Sequence, residues 1–223
     1  MVNKMLKNQK RVFWEALLVT FVVFIFGILL GISYESIRVS DINDYYAKSE
    51  ISLMDILAFN NLVDLENARS KDLIDSNIEF ADRIYEEAIL LEDLENLGKV
   101  TDDLEITHKR YDLLRTFLWI NTIKAQEKCS EDFSTIVYIY DSKNEDLTVR
   151  ATQKVWSKIL YELKEEKGSE IILIPIANDG EIESLNFLVN QYNITKFPVV
   201  IINNKIFLNE LSTVEELNKA LEE

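Results

Sequence analysis

A chain of 223 residues with 48% apolar and 28% charged side chains can bury one large or two small cores. Its net charge of −15, from 39 acidic against 24 basic residues, repels phosphate and argues against nucleic acid as a partner. A single cysteine, Cys129, and a single histidine, His108, exclude an internal disulfide and a Cys/His zinc site built from this chain alone, so neither a metal nor a cofactor is expected.

Residues 1–11 form a basic tail with Lys4, Lys7, Lys10 and Arg11. The stretch from Ala16 to Tyr34 (ALLVTFVVFIFGILLGISY) carries no charge and shows no polar face. As a helix it covers about 28 Å, close to the hydrocarbon thickness of a bilayer. Residues 12–34 are therefore expected to be an uncleaved single-pass anchor contacting membrane lipid, because the apolar core exceeds that of a signal peptide and LLGISYES is a poor cleavage site. Glu35, Asp41 and Asp44 follow it, so the positive-inside rule places the N-terminus in the cytoplasm and the rest outside the cell membrane. Trp14 and Tyr34 occupy interfacial positions.

Residues 35–129 carry helical periodicity. Three helices are expected over about 41–67, 70–97 and 102–128, with apolar faces Ile51, Met54, Leu57, Ala58, Leu62, Leu65; then Ile74, Ile78, Ala81, Tyr85, Ala88, Leu91, Leu94; then Leu104, Tyr111, Leu114, Leu118. Gly98 suits the end of the second helix, and Thr101 the N-cap of the third, with Asp102 and Asp103 in its first turn. The segment is expected to be a membrane-proximal all-α stalk or short coiled coil. Because ISLMDILAF is apolar on more than one face, a bundle that homodimerises or binds a partner is the alternative. His108, in the charged run THKRYD, is expected to be exposed.

From residue 130 the pattern changes. Ser134–Tyr140 is an apolar β-branched and aromatic strand; Leu147–Lys167 is a helix stopped by Gly168; Ile171–Ile176 is a second strand. A helix over Glu181–Tyr192, strands at Pro198–Ile202 and Lys205–Leu208 joined by Asn203-Asn204, and a last helix opened by a Thr213/Glu216 capping box complete the chain. The order β-α-β-α-β-β-α predicts a mixed four-stranded α/β domain over 130–223.

This order, with Asn193-Ile194-Thr195-Lys196-Phe197-Pro198-Val199 heading the third strand, resembles the thioredoxin-like superfamily, and the layout with its anchor resembles membrane-anchored thioredoxin-like proteins of archaea. The resemblance implies a cis-proline at Pro198 and a peptide-binding groove formed by Leu147, Arg150, Lys196, Phe197 and Pro198. It also implies a C-x-x-C pair at the start of the helix after the first strand. Here that place, DSKNEDLTVRATQ, contains no cysteine, Val199 stands for the usual threonine, and Asn204 for the usual glycine. No catalytic residue is expected.

The expected function is a redox-inactive module that binds an unidentified protein or an extended peptide, or scaffolds it, on the outer face of the membrane. The alternative is a thiol-disulfide oxidoreductase working through Cys129 or a partner's cysteines. Cys129 suits a small buried hydrophobe at a junction or an intermolecular disulfide. Asn193-Ile194-Thr195 is a glycosylation sequon in a turn the fold needs anyway.

Overall fold

The computed structural model describes residues 2–63, 69–96, 104–128, 133–178 and 181–222. The expected features at Leu65, Gly98, Thr101, Asp102, Asp103 and Cys129 lie outside the described residues. Two compact units are present, residues 1–47 and residues 48–223.

Helix α1 runs without a break over Val2–Val63, so the apolar stretch and the first expected stalk helix belong to one helix. Neither proline of the chain lies within it, and its two glycines, Gly27 and Gly31, meet nothing within 4 Å. Within the first unit, Val12–Tyr34 is long and apolar enough to cross a membrane. Its side chains are all exposed, including Trp14 and Tyr34.

In the second unit, helices α2 (Ser70–Asn96) and α3 (Leu104–Lys128) precede a four-stranded sheet. The strands are β1 (Ser134–Tyr140), β2 (Ile171–Ala177), β3 (Val199–Ile202) and β4 (Ile206–Leu208), in the order β2-β1-β3-β4. β1 and β2 are parallel; β3 runs antiparallel to both β1 and β4. Helices α4 (Leu147–Lys167), α5 (Glu183–Gln191) and α6 (Val214–Leu221) connect and close the sheet. A helical N-terminal part followed by a mixed α/β domain is thus the observed architecture.

Both faces of the sheet are covered, which is why its strands are nearly continuous apolar runs. Ile136, Tyr138, Val200 and Ile202 face α4 and α6 through Trp156, Leu160, Leu163 and Leu217. Val137, Ile139, Val199 and Ile201 face the other way, toward the cluster containing α5 and α3. The capping box at α6 forms as the sequence predicts: Glu216 N–H donates to Thr213 Oγ1, and Thr213 N–H to Glu216 Oε2 (2.8 Å). His108 is exposed.

Two expected helix faces differ from the observed ones. On the α1 segment 51–62 the apolar residues turned inward are Leu53, Ile56, Leu57 and Phe59; of the expected face only Leu57 is half-buried, while Ile51, Met54, Ala58 and Leu62 point outward. The partner explains the choice. Phe59 packs on Phe80 of α2 at 5.2 Å, Asp55 pairs with Arg83 at 2.8 Å, and Ser52 donates to Glu87, all from the Ile56 side. On α3 the expected single apolar face widens to most of the circumference. Thr107, Asp112, Thr116, Asn121 and Thr122 are buried together with Tyr111, Leu114, Leu118, Trp119 and Ala125. The helix lies against both α2 and β2, so it is a central core element with polar groups inside.

Asp112, Trp119 and Gln126 fasten α3 to the sheet. Three residues, not the expected two, separate β3 from β4; Asn203 and Asn204 adopt the left-handed conformation, with φ of 50° and 57°, as the central residues of the turn that Lys205 N–H closes on the Ile202 carbonyl (3.0 Å). Asparagine tolerates that conformation, and its amide then becomes available to a neighbour. Trp119 Nε1–H donates to Asn204 Oδ1 (2.7 Å), Asn204 Nδ2 to Gln126 Oε1 (2.8 Å), and Gln126 Nε2 to Asn203 Oδ1 (3.2 Å). Thr135 N–H also donates to Asn203 Oδ1 (2.8 Å). Asn204→Gly keeps the backbone conformation but leaves the fully buried Trp119 indole without its acceptor. Urea unfolding should show a loss of about 1–3 kcal/mol, with exposed Lys205→Ala near zero.

Candidate functional site

Two expected site segments adjoin one end of the sheet because of the strand directions. β1 leaves the sheet at Tyr140 and leads into α4, while β3 enters at Val199, which pairs with Ile139. The α4 N-terminus and the Lys196-Phe197-Pro198 segment therefore both follow from that end of β1 and β3. The Phe197–Pro198 peptide bond is cis, and strand β3 begins one residue later, at Val199. Pro198 is buried, Phe197 is half-buried against the core, and Lys196 is exposed.

A residue outside the expected set holds this segment. Asn209 Nδ2 donates to the carbonyls of Lys196 (3.2 Å) and Pro198 (3.3 Å). No local sequence signal marks Asn209, since its role depends on the β3–β4 hairpin returning beside the proline.

The loop before α4 is built from short side chains that bond to nearby backbone. Asp141 accepts from Lys143 N–H (3.2 Å) and Asn144 Nδ2 (2.9 Å), and Asn144 Oδ1 accepts from Asp146 N–H (3.0 Å). Asp146 is the N-cap, its carboxylate accepting from Thr148 N–H at 2.7 Å. This has a chemical consequence. A helix N-terminus can lower the pKa of a thiol placed there, but here the favourable position is filled by a carboxylate. Leu147 is 77% exposed and Arg150 is exposed, so the first turn of α4 presents an apolar group and a cation to solvent. Asp146 is not among the expected residues, although an aspartate directly before a helical pattern is an N-cap signal.

Behind α4, Tyr138 donates to the carbonyl of Gln153 (3.1 Å) and stacks on Tyr140 at 5.2 Å. Burial raises the Tyr138 phenol well above its ordinary value. Burial likewise raises Tyr111, against the pull of Arg115, and Tyr192, which stacks on Trp119 at 5.7 Å. Asn193, the sequon residue, is exposed, with φ of 53° and its N–H bonded to Asn190 O (3.1 Å). Among the described residues no cluster of His, Cys, Asp or Glu could hold a metal ion.

No protein-family model matches the chain, and no curated protein sequence matches it.

The tyrosines set a pH dependence. Tyr111, Tyr138 and Tyr192 keep their protons to higher pH folded than unfolded, so above about pH 10 the native state binds more protons and stability falls as pH rises. Lys164, whose pKa burial lowers, acts in the opposite sense, since there the unfolded state binds the extra proton. Tyr161, raised by the neighbouring Glu165 charge, acts in the same sense as the other tyrosines, so four groups against one predict a net fall. Urea unfolding between about pH 8 and 11 should show it, and Tyr138→Phe should make the decline shallower.

Proposed function

We propose that the chain is a membrane-anchored, redox-inactive thioredoxin-like protein that binds an extended polypeptide at the end of the sheet formed by Leu147, Arg150, Lys196, Phe197 and Pro198. The reading rests on one combination: a cis proline at the head of β3 beside a helix start that carries Asp146, Leu147 and Arg150 where that family carries sulfur. The strand order β2-β1-β3-β4, with α4 and α6 on one face and α5 on the other, supports it.

The chemistry follows from what is exposed. A polypeptide passing the cis-proline segment can pair with its backbone, as extended ligands do at strand ends. Leu147 offers an apolar contact, while Arg150 and Lys196 favour acidic or carbonyl-rich segments. The DSKNEDLTVRATQ segment holds neither cysteine nor histidine, so it has no thiol to exchange and no imidazole to activate a hydroxyl. The anchor, by the charge asymmetry around residues 12–34, places this end on the outer face of the membrane.

The full chain in bilayer nanodiscs should bind a fluorescently labelled, reduced and alkylated model polypeptide, measured by anisotropy. Leu147→Ser with Arg150→Glu, both at exposed positions, should weaken binding about tenfold, equivalent to about 1.4 kcal/mol, and leave the melting curve unchanged. Absence of binding by the wild-type chain overturns the reading. Insulin reduction that disappears in Cys129→Ser would establish the oxidoreductase instead.

A second observation favours homodimerisation. Ile51, Met54, Ala58 and Leu62, spaced by three and four residues, form an exposed stripe along α1. Sedimentation of the detergent-solubilised chain should give a dimer that Met54→Glu converts to monomer without loss of fold.

A further inference from the structure

A cavity of about 570 Å³ lies in the second unit, between α2, α3 and α4 and against the edge strand β2. It is independent of the sheet end discussed above. That volume is within the range of about 300–1,000 Å³ typical of small-molecule sites. Its walls are mainly apolar: Ala81, Ile84 and Ala88 from α2, Leu118 from α3, Leu160 from α4, and Leu173 from β2. Tyr85 and Tyr161, 57% and 54% exposed, line it from α2 and α4.

The charged groups around it differ in how well they are matched. Lys164 Nζ is engaged by the carbonyls of Gly168 (2.7 Å) and Ile171 (2.9 Å), and Asp82 favours its charge. Glu165 is hydrogen-bonded with Tyr161. Arg115 is less well satisfied. Its side chain is only 14% exposed, and of its five N–H donors Nη2 reaches the neutral Tyr111 hydroxyl (2.9 Å). Its carboxylate partner is long, with Nη1 to Asp112 Oδ1 at 3.5 Å. The same Asp112 oxygen also accepts from the buried Ala177 N–H at 3.1 Å. A nearly buried guanidinium lining an apolar cavity, with donors to spare and a shared counter-ion, is set up to receive an anion.

We infer that this cavity binds a long-chain monocarboxylate amphiphile, a fatty acid, with its carboxylate on Arg115 and its chain along Ile84, Ala88, Leu118 and Leu160. The charge balance selects the head group. One negative charge matches one incompletely neutralised guanidinium, whereas a dianionic phosphate would meet Asp112, Asp82 and Glu165 nearby. A planar carboxylate also fits the guanidinium fork. The apolar walls gain from covering a hydrocarbon chain in proportion to the area taken from water.

The test uses the full chain in bilayer nanodiscs and a fatty acid carrying a photoreactive diazirine, with labelled peptides mapped by mass spectrometry. Label is expected on α2 and α4 around residues 81–91 and 157–165. Unlabelled hexadecanoic acid should compete at least about tenfold better than hexadecanol, the difference expected for a hydrogen bond to a charged group. Ala88→Trp, which fills the cavity without touching a charge, should remove the label, and Arg115→Gln should reduce it at least tenfold. Label confined to residues 12–34, equal competition by acid and alcohol, or cavity label unchanged in Ala88→Trp overturns the inference.

Discussion

The second unit depends on the way α3 is held against the sheet at both ends. Near its N-terminal half, Asp112 accepts the Ala177 N–H at the end of β2. Two to four turns later, Trp119 and Gln126 bond the Asn203–Asn204 turn beside the start of β1. The spacing works because the 14 residues from 112 to 126 advance about 21 Å along a helix, close to the length of a seven-residue strand. The Asp112 bond is buried and the others are partly so, and for a buried group an unmade bond costs more than a made one returns. They therefore fix the position of α3 on the sheet as well as adding stability.

That fixed position determines the rest. α2 packs on α3, and Tyr111 of α3 donates to the Ile84 carbonyl at 2.9 Å, tying the two helices together. The end of α1 then packs on α2 through Phe59, Asp55 and Ser52, and Lys124 of α3 reaches Asn60 at 2.6 Å. The edge strand β2 is protected by the same arrangement. Pro175 removes one donor, Asp112 takes the Ala177 N–H, and Lys164 takes the Ile171 carbonyl. Such measures keep an edge from pairing with another chain. The cavity lies where α2 and α4 leave part of that edge uncovered, and it is lined by the cation that shares Asp112 with the strand.

The sheet end with Pro198 is built differently. Leu147, Arg150 and Lys196 are exposed there, the helix start is neutralised by Asp146, and Asn209 ties the proline segment to the hairpin. A rigid core on one side and a strand end on the other suits the proposed binding role, because loops carry recognition while the scaffold holds them in place.

The sequence by itself determined the elements of the sheet, the α4 and α6 helices with the Thr213 capping box, the apolar length of residues 12–34, and the missing sulfur before α4. These are local properties: β-branched runs, capping residues, hydrophobic length and residue identity do not need a partner to be read. The tertiary structure decided which face of α1 is buried, because Ile51 and Met54 are as apolar as Leu53 and Ile56, and only the position of α2 breaks the tie. It also decided that α3 is central. Thr107, Asp112, Thr116, Asn121 and Thr122 look like an exposed face until the fold buries them: Asp112 takes a strand N–H, while Thr116 and Thr122 bond back to carbonyls of their own helix. The roles of Asn203, Asn204, Asn209 and Arg115 belong to the same class. The asparagines bond to groups far away in sequence, and Arg115, whose own bonds are to Tyr111 and Asp112, lines a cavity whose other walls come from α2 and α4; no periodicity or local propensity encodes those distances.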